Sequence, residues 1–195
     1  MNTSHSLTHV VTGAFGYSGQ YITRRLLNRG AQVRSLTGHS RRFDPFDGNV
    51  LSYPYSFDSP AQLTRNLEGA DTLFNTYWIR FARGELTHDI ASENLRILFD
   101  SAKKAGVRRI VHVSITNAEL NSTLPYFREK AIVEDVLKQS GMSYAILRPT
   151  VIFGDEDNLE THKMLEKIQS LYMPNLSLIH ISEPTRPRLS SYAVF

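Results

Sequence analysis

The 195-residue chain has no cysteine, so it has neither a disulfide framework nor a thiolate metal site. That composition is compatible with a reducing cytoplasm, the compartment expected for it. No apolar run approaches the roughly 18 residues of a membrane span. The opening MNTSHSLTHVV has neither the charged leader region nor the apolar stretch of a signal peptide. Acid is missing from the first 43 residues, which instead carry Arg24, Arg25, Arg29, Arg34, Arg41 and Arg42. That asymmetry suits a phosphate-rich ligand, although Arg24, Arg25 and Arg29 are better read as a solvated helix face. A net charge of +3 is too small to point to nucleic acid. The seven histidines show no convincing metal spacing, and no metal is expected. Repeats and low-complexity tracts are absent, and 21% charged residues fit a globular fold with one sizeable core.

What is present begins with Thr12-Gly13-Ala14-Phe15-Gly16-Tyr17-Ser18-Gly19. It follows a short apolar run (Leu7, Val10, Val11) and precedes a helix-like stretch, Gln20 to Arg29. A strand that turns on glycines into a helix N-terminus offers outward N–H groups, a favourable dipole and room for a pyrophosphate. Glycines alone also serve turns and close packing; the strand-before, helix-after context favours a dinucleotide. Gly13, Phe15, Gly16, Tyr17 and Gly19 are therefore candidate cofactor contacts.

Strand-length apolar runs at 8–12, 32–37, 49–53, 71–76, 108–114 and 143–148 alternate with helical patterns at 17–29, 60–68, 85–105, 126–140 and 158–172. Gly30, Gly69, Gly106 and Gly141 each fall where a left-handed C-cap belongs. Ser59-Pro60 reads as N-cap and first helical position. The alternation predicts an α/β protein: a three-layer, doubly wound Rossmann fold with a mostly parallel sheet.

Tyr126-Phe127-Arg128-Glu129-Lys130 sets a phenol and an ammonium four apart on one helix face. An ammonium close by would lower the phenol's pKa and fit it for proton exchange; an ordinary surface pair has the same spacing. Ser114 closes the fifth predicted strand, on the edge where open sheets bind ligands, and its hydroxyl could bond a substrate oxygen or merely cap a turn. His112, inside that strand, reads as a satisfied interior residue.

Taken in order, TGAFGYSG at 12–19, ENLRILFDSAKKAGVRRIVHVS with Asn94, Ser114, YFREK at 126–130 and LRPTVIFG at 147–154 resemble the short-chain dehydrogenase/reductase superfamily. The likeness is to its extended or atypical branch, near NAD-dependent epimerase/dehydratase and NmrA-like proteins, and covers residues 7 to about 155. It implies Tyr126 as proton donor or acceptor, Lys130 as nicotinamide-ribose ligand and tuner of that tyrosine, and Ser114 as the carbonyl-orienting hydroxyl. Asn94 would hold a helix distortion and a relay water, while Pro149, Val151 and the backbone around them would flank the nicotinamide. Thr76 and Tyr77 are implied cofactor neighbours; Trp78, Arg80, Phe81 and Arg83 could face substrate or simply cover the sheet end. Asp58 resembles the family's adenine contact, or is a helix-entry carboxylate.

Beyond the second strand, Ser35 to Arg42 holds no acid to bond an NAD ribose. Ser40, Arg41 and Arg42 would instead receive a 2′-phosphate, so NADP(H) is expected in preference to NAD(H). The expected function is NAD(P)-dependent oxidation, reduction or epimerisation of a small carbonyl or alcohol. The rival is a non-catalytic dinucleotide-binding sensor or assembly subunit, and flavin or quinone chemistry is a third reading. Partners would be a small-molecule substrate, with no nucleic acid and no membrane span; homo-oligomers stay open.

Leu176 to Pro187, LSLIHISEPTRP, resembles a translated transposase-based sequencing adapter, and Ser191 to Phe195 resembles the translated end of the same adapter. Residues 1–155 are thus expected to form the NAD(P)-binding domain, 156–175 a remnant of a truncated substrate region, and 176–195 a non-native tail. A product lacking substrate enclosure would be loose or inactive.

Overall fold

Val10 and Val11 are neighbours in sequence, point to opposite faces of one strand, and are both fully buried. A strand covered on both sides is the mark of a sheet between helical layers. The computed structural model, which describes residues 6–38, 44–82, 84–150 and 152, has that form. The chain divides after Arg148, and the body described here runs to that residue.

Its elements alternate except that β3 follows β2 with no described helix between them: β1 (Thr8–Thr12), α1 (Tyr17–Leu27), β2 (Gln32–Thr37), β3 (Val50–Pro54), α2 (Pro60–Leu67), β4 (Thr72–Asn75), α3 (His88–Lys104), β5 (Arg109–Val113), α4 (Pro125–Gln139) and β6 (Ser143–Leu147). The strands form one sheet in the order β3-β2-β1-β4-β5-β6, with every pairing parallel. The order reverses between β1 and β4, so their carboxyl ends flank the crevice where such sheets bind ligands. This is the Rossmann arrangement expected from the alternation.

Two apolar clusters fill the layers. Val10, Leu36, Leu73 and Ile110 from the strands pack with Leu63 and Leu67 of α2, Leu95, Leu98 and Phe99 of α3, and Val133 and Leu137 of α4. Val11, Val33 and Val50 pack on the other face with Ile22 of α1 and Phe46. Each such side chain, buried fully, stabilises by roughly 1.5–3 kcal/mol.

The C-cap glycines at 30, 69, 106 and 141 all take φ between 73 and 75°. Pro60 and Pro125 occupy first-turn positions, where the missing N–H has no intrahelical acceptor to lose. α3 starts three residues later than its apolar pattern suggests, because Thr87 is extended and ends the loop. Among the described residues no helix is long and apolar enough to cross a membrane. The expected helix at 158–172, the 156–175 remnant and the 176–195 tail lie outside the described residues.

Candidate functional site

Gly13 leaves β1 with φ of 63°, in the left-handed region, and its N–H donates to the Leu36 carbonyl at 2.7 Å. Gly16 N–H returns to the Gly13 carbonyl at 2.8 Å, closing the turn from which α1 starts. A Cβ on Gly19 would lie 2.0 Å from that carbonyl oxygen, so α1 can press on the turn only because residue 19 is glycine. The first-turn amides of α1 face the carboxyl edge of β1 without intrahelical acceptors. The turn thus fits a dinucleotide's pyrophosphate: compact backbone, a bare helix terminus and no acidic side chain in that first turn. Phe15 packs on Phe46 at 5.7 Å and Tyr17 on Tyr21 at 5.8 Å, flanking the turn.

A polar network missed by sequence reasoning ties β1, β4 and β5 together at this edge. Thr12 Oγ1 accepts from the N–H groups of Thr76 at 2.6 Å and Tyr77 at 2.9 Å, and donates to Asn75 Oδ1 at 3.1 Å. Because Tyr77 N–H also reaches Asn75 Oδ1, the amide's Nδ2 must face His112 Nδ1, 2.8 Å away. His112 therefore accepts through Nδ1 and carries its proton on Nε2. That Nε2 is buried with no hydrogen-bond partner, so His112 is only half satisfied. Burial, followed by the charge of Lys130, holds its pKa well below the usual histidine range. The available signal was three polar residues at one level of otherwise apolar central strands; Asn75 and His112 are register partners.

Thr76 and Tyr77 accordingly sit at the crevice beside the glycine turn; a Cβ on Gly13 would be 3.7 Å from Thr76 Oγ1. Tyr77 joins an aromatic group also missed in the sequence: Tyr55 stacks on Phe57 at 5.0 Å, and both contact Tyr77. Burial raises the phenol pKa of both Tyr55 and Tyr77. Asn94 Nδ2 donates to Tyr77 Oη at 3.0 Å, and α3 is regular helix through that position, without the expected distortion. Asp58 is exposed in the turn between β3 and α2. Pro149 is described; Ser40, Arg41, Arg42, Arg83 and Val151 lie outside the described residues.

Lys130 and Ser114 are brought to the carboxyl end of β5, whereas Tyr126 lies against Trp78 and His88. Ser114 follows that strand, is 6% exposed and donates its N–H to the Leu147 carbonyl at 2.7 Å. Lys130 is 3% exposed, and its Nζ donates to the Val113 carbonyl at 3.0 Å. The Nζ also sits 4.4 Å from the Trp78 ring centroid. Burial lowers the ammonium pKa to about 7, against the opposing pull of Glu134. Glu134, one turn further along α4 and 1% exposed, is held by the Arg148 guanidinium, Nε to Oε1 at 2.9 Å with a second bond from Nη2 to Oε2. Burial pushes the Glu134 carboxyl up, but Arg148, the Ser114 hydroxyl and Lys138 together bring it below its ordinary value.

Tyr126 packs edge-on against His88 at 5.5 Å and Trp78 at 6.1 Å. Its pKa is raised by burial, with Arg80 partly opposing, rather than lowered by Lys130 as the spacing suggested. The reason is orientation: the ammonium is turned to a backbone carbonyl and the indole, and the phenol lies among rings. A shallow depression lined by Thr8, Gln32, Arg34, Asn49 and Leu51 lies at the opposite, amino end of the sheet. Among the described residues no group of three His, Cys, Asp or Glu could hold a metal.

The comparisons fit this geometry. Residues 13–171 match the family described as NAD(P)H-binding. The chain is 30% identical to photosystem II assembly factor Ycf39 of Cyanophora paradoxa, over 71% of this chain and 44% of that protein. It is 27% identical to the mitochondrial 40 kDa subunit of NADH-ubiquinone oxidoreductase from Neurospora crassa, over 80% of this chain and 43% of that one. It therefore spans less than half the length of either relative. In fold it resembles a short-chain dehydrogenase/reductase superfamily protein from Agrobacterium tumefaciens with bound NAD, with a TM-score of 0.64 and 20% identity over 84% of this chain and 58% of that one. With a glycine turn at the topological switch and the family match across most of its length, the chain belongs to the NAD(P)H-binding family.

Proposed function

We propose that this chain is the cofactor half of an NAD(P)-dependent oxidoreductase or epimerase of the short-chain dehydrogenase type, acting on a small carbonyl or alcohol. The observation that supports it is that Lys130 Nζ bonds the Val113 carbonyl at the end of β5, next to Ser114, and touches the Trp78 ring, which in turn meets Tyr126, on the carboxyl edge that also carries the glycine turn. When bound, a nicotinamide would supply or accept hydride at the substrate carbon. Ser114 Oγ would bond the substrate oxygen, Tyr126 Oη would give or take its proton, and Lys130 would offset the negative charge. Gly13, Phe15, Gly16, Tyr17, Gly19, Thr76 and Tyr77 would hold the dinucleotide, with Asp58 near the adenine. Asn94, through Tyr77, would fix the loop that carries these contacts. NADP(H) would be preferred, through Ser40, Arg41 and Arg42.

Replacing Tyr126 with Phe tests the catalytic assignment. Reductase turnover over a panel of small carbonyls should fall about 10²–10⁴-fold, as for loss of a general acid, while cofactor affinity stays within about twofold. Unchanged turnover would remove Tyr126 from the chemistry. Fluorescence titration with NADPH and NADH tests the preference, and tighter NADH binding would reverse it.

A second reading has a specific support: the ammonium is committed to Val113 and Trp78, and the phenol's pKa is raised, not lowered. A protein that binds the dinucleotide without turning it over, in assembly or sensing, needs no poised tyrosine. In that case Tyr126→Phe changes neither cofactor binding nor a partner interaction.

A further inference from the structure

Lys130 presents a problem in physical chemistry. An almost fully buried ammonium carries three donors, and the described residues give it one hydrogen-bond acceptor, the Val113 carbonyl. The carboxylate one turn away does not take it, because Glu134 is bound through both oxygens to Arg148 and lies 3.7 Å from Lys138. His112, on the neighbouring strand, is held neutral by burial and offers no negative charge. The remaining favourable surface for the cation is the electron-rich face of Trp78, 4.4 Å from Nζ.

The same ring reaches the phenol. Trp78 stacks near-parallel on His88 at 6.1 Å, and both rings meet Tyr126 edge-on. Its Nε1 is buried without a hydrogen-bond partner, so ring contacts, not a polar tether, fix the indole. It stands in the segment directly after β4, whose Thr76 and Tyr77 amides are anchored on Thr12. The indole thus bridges the β4 edge, the ammonium and the phenol.

We propose that Trp78 is a positioning residue for Lys130: its ring, which also meets Tyr126, holds the ammonium against the Val113 carbonyl, shielded from water. The proposal builds on the oxidoreductase reading for its functional meaning: a Lys130 held there stays at the carboxyl edge of β5, where that reading has it meet a bound ribose. It differs from a substrate-facing role for Trp78, which would leave the lysine indifferent to the ring.

The test follows the ionisation of Lys130 by carbon-13 lysine NMR across pH 5–11, its resonance assigned by loss in Lys130→Met. The groups facing this pair, His88, Tyr126, Arg80, His112 and Glu134, stay unchanged in the comparison. In the wild type the midpoint should lie near 7. Trp78→Ala admits water and relieves the burial that depresses the ammonium, so the midpoint should rise by at least about one unit. Trp78→Phe keeps a ring and should stay within about half a unit of wild type. An unmoved midpoint in the alanine variant, or a phenylalanine variant that shifts as far as alanine, overturns the proposal.

If Trp78→Ala does not fold, fluorescence decides, since Trp78 is the chain's single tryptophan. His88→Asn removes the imidazole from the indole in both samples, and the Tyr126 phenol, its pKa raised by burial, stays protonated through this range. Emission should then change with a midpoint near 7 only when Lys130 is present; coincident curves with and without Lys130→Met reject the proposal. An NADPH titration of the wild type separates the two ideas. Absence of binding defeats the oxidoreductase reading and leaves the lysine result standing, whereas binding with an unmoved lysine midpoint defeats only the role of Trp78.

Discussion

At the scale of single residues, the site is organised by how buried charges find partners. Glu134 is the sharpest case: a carboxylate 1% exposed, beside an arginine whose side chain is half exposed. Removing the arginine strands the acid, whereas the arginine itself can turn to water. Arg148→Met should therefore destabilise by about 2–4 kcal/mol, near the lower end for a broken buried pair. With its partner gone, burial would raise the Glu134 pKa, so the variant's deficit should shrink as pH falls through that raised value toward the ordinary glutamate value of about 4.3. Urea midpoints at pH 4 and 7 check this, and an equal deficit at both contradicts it. None of this is legible in YFREKAIVE. The sequence places Tyr126, Lys130 and Glu134 on one helical face by their spacing. It does not say that Glu134 belongs to Arg148, fourteen residues away and just past the end of β6.

At the scale of elements, α1 and its turn form the part most completely written in the sequence, because the constraint is local and steric. Gly19→Ala would drive a Cβ to 2.0 Å from the Gly13 carbonyl oxygen, a backbone atom with nowhere to go. The expected cost is about 2–4 kcal/mol, with weakened NADPH binding as the turn shifts. Gly30→Ala serves as the control: its Cβ meets open space, and only the positive φ resists, for about 1 kcal/mol. Thermal melts and NADPH titrations of the two should rank in that order. β4 and the segment after it behave differently. ADTLFN marks a strand, but the network of Thr12, Asn75 and His112 needs three strands in register before its polarity makes sense.

For the whole molecule, two buried bases set the response to pH. His112 stays neutral in the folded chain, while the unfolded chain takes up a proton near the ordinary histidine pKa of about 6.5. Its contribution is therefore present above that pH and lost as pH falls below it. Lys130 also has a depressed value, about 7. Between there and its unfolded value of about 10.4, the unfolded state binds more protons, so stability rises with pH by up to about 1.4 kcal/mol per unit. The fold should be acid-sensitive and most stable on the alkaline side of neutrality. Urea unfolding at pH 5.5, 7 and 9 should give rising midpoints, and Lys130→Met should flatten the upper half. A stability maximum near pH 5.5 would contradict both assignments.

The order of elements, the parallel sheet, the glycine turn and the caps were decided by the sequence alone, since hydrophobic period, backbone sterics and helix-end chemistry act within a few residues of one another. Which way the functional side chains face was decided only in the tertiary structure. Lys130 turns to a backbone carbonyl and an indole, Tyr126 is shifted by burial opposite to the direction its spacing implied, and Asn94 is engaged by Tyr77. Those outcomes depend on desolvation and on partners drawn from other strands and helices, and neither exists until the layers have closed.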